Sequence, residues 1–123
     1  MNRIQEPPDG IIITISAGML KEKGILNWTR NFKRAMDSEG WSYWFRQGAK
    51  PKYDILYVYL CILGRVRYRI NYVGSETGFK KFLNDGEGMY AKVWLITCGP
   101  LVEAPQKIPM KGFRGFRYTE FLF

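Results

Sequence analysis

The chain has 123 residues, a length that fits one domain with a single small core. Nineteen lysines and arginines against eleven aspartates and glutamates leave a formal charge of +8, which points to a polyanion or an anionic surface as partner. The absence of histidine excludes His-based triads, His-ligated metals and imidazole acid–base chemistry, and two cysteines cannot build a four-cysteine zinc site.

Residues 1–10 are polar, and the apolar run that follows is too short for a signal sequence. No stretch approaches the roughly 20 apolar residues of a membrane span. The expectation is a cytoplasmic protein whose Cys61 and Cys98 are small buried hydrophobes in a reducing compartment.

Ile11, Ile12, Ile13, Thr14 and Ile15 are all β-branched and follow a Pro-Asp-Gly turn signal, which predicts a buried first strand. Residues 19–24 allow one helical turn. Asn27 reads as an N-cap, and Ile25, Trp28, Phe32, Ala35 and Met36 then recur at helical spacing up to a stop at Gly40. Arg30, Lys33, Arg34 and Asp37 form a second, mostly basic stripe on that helix. Residues 41–46 read as a short aromatic strand and 47–52 as a loop. Residues 53–63 are apolar on both faces except for Asp54, as in a central strand, with Leu56, Val58, Leu60 and Ile62 toward a core and Tyr57 and Tyr59 toward a half-polar cavity.

After Gly64, Arg65, Arg67, Arg69 and Asn71 alternate with Val66, Tyr68, Ile70 and Tyr72, so the arginines are expected on one face. Residues 53–73 are therefore either a hairpin or one long strand bent at a glycine bulge. Residues 73–88 read as a polar loop, 91–97 as a strand that Gly99-Pro100 interrupts, and 101–107 as an extended segment. Residues 108–118 hold Arg114 and Arg117 among glycines and aromatics. The sum is a single α+β domain over residues 1–123, its five or so strands curling into a small mixed β-barrel.

Chemistry offers less than binding does. The carboxylates are scattered singly, and Gly86-Glu87-Gly88 lacks phosphate-loop spacing, so a non-enzymatic role without a cofactor is expected. Three arginines on one strand face lie about 6–7 Å apart. With Arg30, Lys33 and Arg34 and with Arg114 and Arg117, they give three basic clusters suited to nucleic-acid phosphates. Aromatic residues make up 16% of the chain, more than a small core absorbs, and the group Trp28, Trp41, Tyr43, Trp44, Phe45, Tyr57 and Tyr59 is available to stack a base extruded from DNA or RNA, with Asn31 reading its edge.

Several short motifs carry a family likeness. Trp28-Thr29-Arg30-Asn31 resembles a segment in which Trp shortly precedes Val-Arg-Asn at a helix start, here without the Val. Asp54-Ile55-Leu56-Tyr57 with Tyr59 resembles a Gly-Asp-apolar-apolar-aromatic-Tyr strand, with Tyr53 in place of the Gly. Leu63-Gly64-Arg65-Val66 resembles the start of the following strand, and Val93 through Gly99-Pro100 to Lys111 resembles the closing strands. Together these motifs resemble those of the PUA-like superfamily, nearest its EVE branch, with the YTH and ASCH branches as cousins. The resemblance implies a PUA-like pseudo-barrel with one or two flanking helices and an aromatic pocket for a modified base. Trp28 and Asn31 would line that pocket, with Tyr57 or Tyr59 near it. Two alternatives stand beside it: a module docking an acidic protein, and an ASCH-type hydrolase on RNA or modified nucleosides, for which Lys21, Lys23 and Glu103 are the first candidates.

Overall fold

The structure, a computed structural model, describes residues 7–15, 24–38, 42–80 and 88–123. In chain order these form β1 (Gly10–Thr14), α1 (Ile25–Asp37), β2 (Ser42–Gln47), β3 (Tyr57–Ile62), β4 (Arg65–Lys80), β5 (Met89–Pro109) and β6 (Phe116–Thr119). The expected helical turn at 19–24 falls almost wholly outside the described residues. One six-stranded sheet has the order β2-β5-β4-β3-β1-β6. It is mixed: β1 runs parallel to β3, and every other neighbouring pair is antiparallel.

The α+β class expected from the sequence is therefore found, but the barrel is not. β2 and β6 stand as the two edges, and no described strand pairing joins them, so the sheet is not closed. β4 pairs with β5 through four irregular steps, at 66/68, 69/71, 72/74 and 76/78, the kind of register shift that bends a strand.

Two further expectations are corrected. Residues 73–80 are not loop but the far half of β4, because β5 supplies a partner strand from Met89 onward and satisfies their backbone groups. Nor does Gly99-Pro100 end β5, whose pairing resumes with Val102 opposite Arg69. Of the two readings of residues 53–73, the hairpin is found. Leu63 and Gly64, with φ of 52° and 75°, form a two-residue turn whose twist matches the flanking strands.

The sheet is apolar on both sides, for different reasons. On one side Phe32, Ala35 and Met36 of α1 pack against Ile11, Ile13, Val58, Leu60, Ile70, Leu95 and Leu101. Gly24, not Asn27, is the helix N-cap, and it supplies no side-chain hydrogen bond. Where α1 crosses β5 the backbones nearly touch. A Cβ added at Gly99 would lie 1.5 Å from the Met36 carbonyl oxygen, so only glycine fits. On the other side Ile12, Tyr59, Cys61 and Val66 are roofed by Ile108, Met110, Phe113, Leu122 and Phe123. Tyr57 is packed against the same cluster.

Candidate nucleic-acid interface

Cross-strand partners project from the same side of a sheet, so the register assigns faces directly. Tyr57 pairs with Asn71, Asn71 with Cys98, and Cys98 with Ser42. This row crosses four strands on the side away from α1, since Val58, Ile70, Tyr43 and Phe45 on alternate positions belong to the helix-side core. Trp44 lies one alternation beyond Ser42, and Arg46 one beyond that, both on the same side. Tyr57, Asn71, Cys98 and Trp44 are half-buried, while Ser42 and Arg46 are exposed. Three strand intervals separate Tyr57 from Ser42, about 14–15 Å. Two half-buried rings, Tyr57 and Trp44, thus share one face, with Arg46 and the exposed Lys92 at the β2 end.

The Trp44 end is firmly built. Its ring meets Trp94 edge-on at 6.5 Å, and Trp94 is held in place by donating its indole N–H to the Gly78 carbonyl at 2.8 Å. At the other end the Arg69 guanidinium lies 4.4 Å over the Tyr57 ring, a cation–π contact that fixes both. Asn71 is oriented by donating its side-chain N–H to the Gly99 carbonyl at 3.0 Å.

Among the described residues the expected single-base cage is not assembled. Asn31 is exposed on α1, on the other side of the sheet from Tyr57, and the side chain of Trp28 lies outside the described residues. Tyr59 has no solvent exposure, and its hydroxyl accepts the Leu122 N–H at 3.0 Å. Trp44 and Tyr57 share a face but point the same way, so they make a floor and not opposing walls. Trp41 also lies outside the described residues.

The arginine stripe is likewise broken. Val66 sits opposite Cys61 and Tyr68 opposite Leu60, so Arg67 is an extra, unpaired residue in a β-bulge. The bulge reverses the alternation. Arg65, partner of Ile62, falls on the helix side, whereas Arg69, partner of Tyr59, falls on the opposite side. The Arg67 guanidinium Nε folds back to the Ile62 carbonyl at 2.7 Å.

Other expected phosphate ligands are occupied or elsewhere. Lys33 bonds Asp37 at 2.7 Å and the Leu101 carbonyl at 3.3 Å, while Asp37 accepts the Leu101 N–H at 3.2 Å, so this pair docks α1 on β5. Arg30 and Arg34 are exposed on α1. Arg117 shares the face of Tyr57 through its partner Ile12, and its guanidinium covers the Phe113 ring at 4.3 Å, with Arg114 exposed in the preceding loop.

Sequence reasoning missed Arg46 and Lys92, whose strands gave no basic run, and Asn71, whose place in the row only the register reveals. Glu103 is exposed opposite Tyr68, and Lys21 and Lys23 lie outside the described residues. Burial holds the Cys61 thiol above its ordinary pKa, with a hydrogen bond to Thr14 and the Arg67 charge opposing, so it is a packing group. Among the described residues no cluster of acidic or cysteine side chains could hold a metal, and no helix is long and apolar enough to cross a membrane. Comparison of the chain with protein-family models, with curated proteins and with solved structures finds no match in any of the three.

Proposed function

We propose that this protein binds single-stranded DNA or RNA, or a base flipped out of a duplex, across the sheet face opposite α1. The observation that carries the reading is the row Tyr57-Asn71-Cys98-Ser42 with Trp44 one step on: two half-buried rings on one face, flanked by arginines, in a chain of charge +8. Stacking needs an unpaired base, which selects single strands over intact duplex. Arg46 and Lys92 supply phosphate contacts at the Trp44 end, and the Asn71 amide oxygen would accept from a base amino group. A modified base would be favoured where its added group widens the stacked surface on Tyr57 or Trp44.

The test is fluorescence anisotropy of labelled dT12 and rU12 across a salt series. Trp44→Ala and Tyr57→Ala should each weaken binding by about 1–3 kcal/mol, roughly 5- to 150-fold. Arg46→Ala should lower the salt slope by about 0.7. Arg30→Ala, Arg34→Ala and Arg65→Ala, all on the helix side, should change affinity little. Binding that is insensitive to Trp44 and Tyr57, or lost with the helix-side arginines, refutes the assignment. Equal capture of an acidic polypeptide under the same salt would transfer the surface to a protein partner.

A further inference from the structure

The face that carries Tyr57 continues beneath residues 120–123, which lie across it as a strap. The strap follows the last residue of β6, Thr119, and is held by few bonds. The Phe121 N–H donates to Asp9 Oδ2 at 2.9 Å, the Leu122 N–H donates to the Tyr59 hydroxyl at 3.0 Å, and the Phe123 backbone oxygen accepts from the Arg69 guanidinium. The Phe121 ring meets Tyr57 at 6.0 Å and the Phe123 ring meets Tyr59 at 5.3 Å. Both phenyl rings also lie within 6 Å of the Arg69 guanidinium, at 5.8 and 5.9 Å. Beneath the strap the Tyr59 ring is wholly buried with Leu122 and Phe123 packed against it, while Phe121 itself remains 58% exposed, so opening is offset only when stacked bases replace the Leu122 and Phe123 contacts.

We propose that residues 120–123 are an internal occupant of a nucleotide site formed by Tyr57, Tyr59 and Arg69, and that a single strand bound on the face displaces them. The inference rests on the binding reading above. Each strap contact is one that a nucleotide reproduces. A base replaces a phenyl ring on tyrosine, and a phosphate oxygen replaces the backbone oxygen on Arg69. The second exchange keeps a charge-assisted hydrogen bond on the guanidinium. Seating the strand on Tyr59 and Arg69 extends the floor from Trp44 across to β3 and links affinity to strap opening. The intrinsic affinity is then reduced by the fraction of molecules whose strap is open.

The experiment uses the full chain and dT12. Phe121→Ala, whose ring is largely exposed and whose loss should not unfold the protein, is expected to bind dT12 at least three-fold more tightly, and Phe123→Ala more tightly still. Saturating dT12 should accelerate hydrogen exchange at the Leu122 amide in the parent, since its bond to Tyr59 is broken in the complex. Binding by the parent with Leu122 exchange unchanged or slowed, or with Phe121→Ala no tighter, overturns the strap and leaves the face reading standing. Absence of binding by parent and strap variants alike overturns both. Binding by the variants alone supports both, with a strap that stays closed in the parent.

Discussion

Replacing Gly99 by alanine tests whether α1 is seated on β5 as closely as the fold requires. The new Cβ would lie 1.5 Å from the Met36 carbonyl oxygen and 2.5 Å from its carbon. A non-bonded carbon–oxygen pair needs about 3.3 Å, so the end of α1 must retreat by about 2 Å. Both contacting atoms are backbone, and no rotamer change relieves them. Retreat lifts Met36 and Phe32, now 2% and 7% exposed, from the core. Full exposure of each is worth about 1.5–3 kcal/mol, so a half loss of both is about 1.5–3 kcal/mol. Stretching the bonds from Asp37 and Lys33 to Leu101 adds about 1 kcal/mol. The total, about 2.5–4 kcal/mol, is a large share of the roughly 5–15 kcal/mol that a domain possesses. It should lower Tm by about 10–20 °C at this chain length. Urea unfolding followed by tryptophan fluorescence measures it, with Gly48→Ala as control, since a Cβ there meets nothing within 4 Å. A loss below about 1 kcal/mol would mean that the helix does not rest on Gly99 and that the two faces of the sheet are not divided as described.

Two smaller effects follow from the same geometry. The hydrogen bond from Lys33 holds the Asp37 carboxyl below its ordinary 3.8, burial opposes, and the Leu101 N–H and the Lys33 charge assist. A depressed carboxyl stabilises the fold above its unfolded pKa, and that contribution disappears as pH falls through the folded value. Because the two side chains are 48% and 37% exposed, solvent screening limits the pair to about 0.2–1 kcal/mol. Asp37→Asn should thus be slightly less stable than the parent at pH 7 and equal to it at pH 2, by urea midpoints; an undiminished gap in acid would contradict this. Leu63, 56% exposed, occupies a turn position with φ of 52° that asparagine tolerates better. Leu63→Asn should raise stability by about 0.5–1 kcal/mol, and a loss in thermal melting would show that the leucine makes a contact worth more than its strain.

Local features of the chain were legible because each depends on near neighbours. The β-branched run at 11–15 leads into β1, the 3.6-residue recurrence of Phe32, Ala35 and Met36 gives the buried side of α1, and the two-sided apolar stretch read over 53–63 contains the central β3 at 57–62. Residues 53–56 lie outside that strand, and Leu56 is exposed instead of facing the core. The charge of +8 likewise needs only counting. What only the tertiary structure decided is which side of the sheet each group faces. Around Val66 and Tyr68 the sheet is covered on both sides, by α1 on one and by residues 108–123 on the other, so an apolar residue is satisfied on either. Alternation in the sequence therefore carries no mark of the bulge at Arg67 that sends Arg65 and Arg69 to opposite faces. Residues 73–80 read as loop for a related reason: their glycines weaken a strand in isolation, and the partner that holds them lies in β5. The row from Tyr57 to Ser42 joins four strands that are far apart in the chain, and its existence is a matter of register, which is fixed by packing across the whole sheet.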